Sequence, residues 1–145
     1  MKNYILILFI ALIGLHAQAQ SNIVGKWKTI DDSTKAEKSI VEIYEQDGKL
    51  YGKIVQLFQK PEEDQDPKCD KCSGEMKDQK VLGLVFMKRH KKNTDTKWED
   101  GEITDPKNGK TYDCKIELIE EGKKLKVRGF LGFSLLGRTQ IWVKQ

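Results

Sequence analysis

Tyr112, Cys114, Ile116 and Leu118 alternate with Asp113, Lys115 and Glu117, so every second side chain in this stretch suits a core. A period of two sends one set inward and the other to water, the signature of a half-buried strand. Leu125 and Val127, set between Lys124, Lys126 and Arg128, repeat the pattern after Glu121-Gly122, as an antiparallel partner across a tight turn would. Ile141 and Val143, opposite Gln140 and Lys144, extend it to the end of the chain. Glycine-bearing turn signals at Asp47-Gly48, Asp100-Gly101 and Asn108-Gly109 divide other runs rich in Ile, Val, Tyr or Leu. The pattern predicts strands at 24–30, 39–46, 49–58, 82–90, 97–105, 110–119, 123–130 and 138–144. No later stretch keeps an i, i+3, i+4, i+7 apolar spacing long enough to require a substantial helix.

Strands in this number, each with one apolar face and joined mostly by hairpins, predict an all-β antiparallel meander that closes into a barrel of about eight strands. Closure makes the first and last strands neighbours. Trp27 opens the first and Arg138 opens the last, so the guanidinium is expected over the indole face, a closure contact worth about 0.5 to 2 kcal/mol. Gly129, Gly132 and Gly137 allow the turn between the last two strands. A barrel of this size either holds one small ligand or is filled by its own side chains. Tyr51, Phe58, Phe86, Trp98, Tyr112 and Phe130 are the candidate ligand-lining residues; as strand aromatics they equally suit a plain core.

One connection breaks the hairpin rhythm. Gln59 to Lys80 is a polar segment holding Pro61, Pro67 and the acidic run Glu62-Glu63-Asp64-Gln65-Asp66, and loops of that length usually carry function or mobility. Within it lies Cys69-Asp70-Lys71-Cys72, a spacing shared by disulfide staples, redox pairs and half zinc sites. The flanks lack the strand-then-helix setting that lowers a thiol pKa in a redox enzyme. Zinc would need two more ligands, for which Cys114 and His90 are the nearest candidates. Cys114 falls on an inward strand face, where a free thiol behaves as a small hydrophobe. The acids Asp64, Asp66 and Asp70 lack the glycine and terminal glutamate of a dedicated calcium loop, so no metal and no cofactor is expected.

The start of the chain changes the picture of where this happens. Lys2, the apolar run Ile5 to Leu15 and then Ala17-Gln18-Ala19 form the three regions of a secretory signal, with cleavage expected after Ala19 and a single domain over 20–145. The apolar run is about half of what a membrane-spanning helix needs, so no membrane span is expected. Export meets an oxidising compartment, which favours the Cys69–Cys72 disulfide over the other readings. The net charge of +4 is small and interspersed, which argues against nucleic acid as a partner. His90, inside Lys88-Arg89-His90-Lys91-Lys92, reads as an exposed position at a strand end. Ser134 lacks the G-x-S-x-G setting of a hydrolase nucleophile. No nucleophile, base and orienting group come together, so the reading leans away from an enzyme. Nothing in the pattern fixes an oligomeric state.

Gly25-Lys26-Trp27, Gly48-Lys49-Leu50-Tyr51-Gly52-Lys53-Ile54, Trp98 with Gly101, Asp105-Pro106 through Tyr112, and Leu125 to Gly129 followed by Gly137-Arg138-Thr139-Gln140-Ile141-Trp142 resemble the family known as domain of unknown function 2147. The resemblance covers essentially the whole chain after the leader, and the last of these runs is its most specific part. It implies a small exported bacterial protein with an envelope-localised β-barrel-like domain, and brings no activity with it. Gly25, Trp27 and Arg138 are similar, more distantly, to the early Gly-x-Trp and late Arg of the lipocalin and fatty-acid-binding superfamily, which implies a lipocalin-like barrel. The chain departs from lipocalins in lacking their mid-chain and late motifs and in carrying the C-x-x-C loop. The function expected is non-catalytic binding of a small, partly apolar ligand in the periplasm or outside the cell. The alternative is an envelope interaction or stress-related structural protein acting through the 59–80 loop.

Overall fold

A computed structural model of the protein describes residues 22–132 and 136–145. The leader, its expected cleavage after Ala19, and Ser134 lie outside the described residues. The described residues form eight antiparallel strands, β1 (Gly25–Ile30), β2 (Glu37–Gln46), β3 (Lys49–Leu57), β4 (Val85–Lys92), β5 (Lys97–Thr104), β6 (Thr111–Ile119), β7 (Lys124–Phe130) and β8 (Gly137–Lys144), in a closed barrel of strictly sequential neighbours. The only helical turns among the described residues are single 3-10 turns at Gly74–Met76 and Glu120–Gly122.

The alternation read from the sequence is the alternation that closes the barrel. Cys114, Ile116 and Leu118 on β6 face inward with Leu125 and Val127 on β7, through the register pairs Ile116↔Val127 and Leu118↔Leu125. Trp27, Val41, Ile43, Leu50, Ile54, Phe86, Met87 and Trp142 join them in one continuous buried cluster. Each fully buried side chain of this size contributes about 1.5–3 kcal/mol of apolar burial.

β4 is the strand whose bounds differ most from expectation. It starts at Val85 because the chain bends at Gly83, whose φ of 91° ordinary residues avoid, and Gly83 and Leu84 bond back to Ile54. It runs on to Lys92 through Arg89, held at φ 61°, a bulge that turns the next residue inward. Asp100-Gly101, which resembles a hairpin turn, is a second such bulge within β5, with Asp100 at φ 55°.

The barrel has two different ends. Tight turns joining β2 to β3, β4 to β5 and β6 to β7 gather at one, beside Ile23 and the close of β8. The other end carries the connections 31–36, 58–84 and 105–110 with the close of β7 and the start of β8, and is the mouth. The β1–β8 seam pairs Trp27 with Lys144 and Lys28 with Val143, and Gln145 N donates to Lys26 O at 3.0 Å.

Candidate functional site

The expected stacking of Arg138 on Trp27 is not what closes this seam. Antiparallel register sets Lys144, at the close of β8, opposite Trp27, and its ammonium lies 5.1 Å from the centre of the indole ring. The indole itself is buried and donates from Nε1 to Ile23 O at 2.8 Å. Arg138 stands six residues earlier, about 20 Å away at the rise of a strand. There it crosses the seam at the mouth to Asp32, with Nε 2.6 Å from Oδ1, and to Asp31, with Nη2 3.4 Å from Oδ2. The guanidinium pulls the Asp32 pKa down, and Asp32 raises that of Arg138 in return. Asp31 is lowered mainly by the backbone N–H of Thr34 and the hydroxyl of Ser33. Arg138 therefore ties the start of β8 to the β1–β2 turn.

The six candidate lining aromatics divide between three environments. Phe86 and Trp98 are buried within the barrel, Phe86 with its ring centre 6.3 Å from that of Trp142. Tyr112 shares the inward face of β6 near the mouth, half-buried, its hydroxyl accepting from Asn108 Nδ2 at 3.0 Å. Tyr51 and Phe130 do not line the interior. Strand alternation puts Tyr51 on the outer wall, stacked on Tyr44 across the β2–β3 pair at 5.8 Å, and Phe130 on the outer wall beneath the Lys115 ammonium at 5.7 Å. Phe58 belongs to the mouth.

The feature that sequence reasoning missed is His90. Set among Lys88, Arg89, Lys91 and Lys92, it looks like surface, yet it is completely buried because the Arg89 bulge turns it into the barrel. Its ring occupies the space above Gly101, where an added Cβ would lie 2.3 Å from the imidazole Cγ. Burial lowers its pKa to about 4; neither ring nitrogen reaches a partner at full hydrogen-bond geometry, and the backbone of its register partner Leu50 lies close enough only to oppose the shift. The imidazole is thus held neutral. The one available signal was Gly101 itself, a glycine inside a strand, which often marks a close approach. Cys114, the register partner of Gly101, is also buried, and burial raises its thiol pKa.

The long connection is an ordered strap at the mouth. Its two legs pair: Val81 N donates to Pro67 O at 2.9 Å, Cys69 N to Gln79 O at 2.8 Å, and Lys68 stands opposite Lys80. At the tip Cys69 and Cys72 form a disulfide, and both are buried with Val81 and Leu84 in the barrel's core cluster. The tip rests on the 105–110 turn, where Gly109, at φ 71°, passes so close that an added Cβ would lie 1.9 Å from Lys71 O. The acidic stretch before it is held by its own bonds, among them Lys60 N to Glu63 Oε2 at 2.8 Å and Gln65 Nε2 to Lys60 O at 2.8 Å. The Lys60 N–H lowers the Glu63 pKa, helped by the charges of Lys38, Lys60 and Lys107.

Where the strap leaves β3 an open groove of about 650 Å³ forms, with Val55, Leu57, Phe58, Pro67 and Leu82 as apolar lining and Gln56, Gln59, Lys60, Gln65 and Asp66 as polar lining. Leu82 divides it from a second, more polar depression of about 450 Å³ between the strap and Val85 and Lys88. Leu82 is half exposed, at 51%. Both volumes fall in the range of small-molecule sites. No group of three or more His, Cys, Asp or Glu side chains suited to a metal occurs among the described residues.

Barrel, buried first-strand tryptophan and mouth-side loops together define a lipocalin-like β-barrel protein. The chain is similar in structure to a protein from Helicobacter pylori, HP1028, described as belonging to the lipocalin family, with a TM-score of 0.72 at 19% identity over 86% of this chain and 83% of that one. Residues 25–144 match the family described as an uncharacterized protein conserved in bacteria, DUF2147, and the chain belongs to that family. No curated protein sequence matches it.

Proposed function

We propose that the protein is a non-catalytic binding module of the bacterial cell envelope that takes a small, partly apolar ligand in the groove at the barrel mouth. The observation that carries this reading is the contrast between two places. Buried side chains occupy the barrel axis, whereas the groove offers about 650 Å³ lined by Val55, Leu57, Phe58, Pro67 and Leu82, with amides and charges at its rim. An apolar wall with a few polar groups is what orients a small ligand. The lipocalin-like fold supports the same reading.

Titration with the neutral apolar dye N-phenyl-1-naphthylamine tests it, together with native mass spectrometry of the purified protein for a retained ligand. Leu82→Asp and Phe58→Asp are expected to weaken dye binding about tenfold or more, since each sets a charge in the apolar wall, while the far-ultraviolet circular dichroism stays that of the barrel. Undiminished binding in both variants refutes the groove.

The alternative is an envelope interaction or stress-related structural role through the 59–80 loop. It draws on Leu82, an exposed apolar side chain beside that strap. A pull-down that recovers a partner with the native chain and loses it with Leu82→Asp, in a protein that binds no dye, favours that role.

A further inference from the structure

We propose that oxidation of Cys69 and Cys72 assembles the groove, so that the protein becomes competent to bind only after it meets a disulfide-forming environment; this rests on the groove being the binding site. The strap carries part of the groove wall, since Gln65, Asp66 and Pro67 lead into its first leg and Leu82 follows its second. The legs hold each other through Val81 N to Pro67 O and through Lys68 opposite Lys80, and the tip anchors the pair against the 105–110 turn. There the disulfide holds Cys69-Asp70-Lys71-Cys72 in a tight turn whose Lys71 carbonyl sits directly over Gly109, and Cys69 Sγ lies 3.9 Å from Pro106 O. Without the bond the two thiols separate, and the close packing of the Lys71 carbonyl on Gly109 makes the tip the place where that movement is felt.

The balance of the step is simple. Two thiols lose two protons and two electrons, one S–S bond forms between Cys69 and Cys72, and a disulfide-class oxidant is reduced to two thiols. The product is protected by its own location, because both sulfurs are buried under the strap they order. The bond therefore acts as a one-way assembly step and not as a reversible sensor.

The short ring bounds the effect. Closing a loop of this size restrains the open chain by on the order of tenfold in equilibrium population, enough to shift a strap without unfolding a barrel. The test compares three full-length proteins: oxidised, reduced with a phosphine and alkylated, and the double variant Cys69→Ser, Cys72→Ser. Groove binding is read as the part of the dye signal that Leu82→Asp abolishes. Amide hydrogen exchange is followed separately over 67–84 and 105–110 and over the barrel strands.

The expected result is groove binding at least tenfold weaker in the reduced protein and in the double variant, with faster exchange confined to the strap and the 105–110 turn. Gly109→Ala, with the disulfide intact, should reproduce both changes by displacing the tip. Equal strap exchange in oxidised and reduced protein overturns the proposal. Redox-dependent strap exchange in a protein whose oxidised form binds no dye overturns the groove reading instead, so the two failures are distinguishable.

Discussion

Gly101→Ala probes the packing of the barrel most directly. The added methyl would lie 2.3 Å from His90 Cγ and 2.4 Å from Cδ2 and Nδ1, far inside contact distance and against a ring that cannot bend. Either the imidazole leaves its site or β4 and β5 move apart, and both disturb a fully packed layer. Overpacking of this kind costs about 1–3 kcal/mol, and the rigidity of the ring puts this case at the upper end. His90→Ala removes the obstacle, so the double variant should be more stable than the sum of the single changes by about 1.5 kcal/mol or more, the clash being present in Gly101→Ala alone. Urea unfolding at neutral pH, followed by tryptophan emission and circular dichroism, reads all four corners of the cycle; a shifted midpoint with an unchanged slope marks a change in stability alone. Gly101→Ala within about 0.5 kcal/mol of the native chain, or strict additivity with His90→Ala, would refute the stacked arrangement.

The same histidine predicts a pH dependence. Its folded pKa of about 4 lies below the ordinary value of 6.5, so the unfolded chain binds the extra proton between those limits. Stability should be full above about pH 6.5 and decline by about 3 kcal/mol as pH falls through 4, and His90→Leu should flatten that window in urea midpoints measured from pH 4 to 7. Asp32, held low by Arg138, adds its own loss only below the ordinary carboxylate range as it protonates, a lower window that His90→Leu leaves in place. Arg138→Ala, which removes a solvent-exposed pairing across the seam, should lower stability by about 0.5–1 kcal/mol in the same assay. In a chain whose only tryptophan is Trp27, Lys144→Ala should alter the emission and Arg138→Ala should not, since the ammonium and not the guanidinium lies over that ring. The reverse outcome would restore the original closure argument.

What the sequence made legible followed from period and punctuation. Tyr112 to Leu118 and Leu125 to Val127 carry the inward face openly, and the mostly hairpin connections leave little room for another topology. Arg138 was harder because register, a relation between distant strands, decides whether it meets Trp27 or the Asp31-Asp32 turn, and nothing local to either residue encodes register. Tyr51 and Phe130 show the limit of composition: an aromatic on a strand is apolar enough for the core, but parity sends both outward, where Tyr44 and Lys115 cover them. His90 combined the two problems. A single residue at positive φ, Arg89, reverses the parity of everything after it, so a histidine in a basic run becomes the most deeply buried polar side chain among the described residues. Bulges of this kind carry no dependable local signature, and their effect appears only when the neighbouring strand is in place. The glycine in that neighbour is the complement: Gly101 is required by the ring that Arg89 sends inward. Neither residue explains itself alone, and the pair predicts that Arg89→Pro, by forbidding positive φ, would displace His90 and lower stability by about 3 kcal/mol or more in urea unfolding. Retention of the native midpoint in that variant would mean that the bulge does not determine the burial of His90.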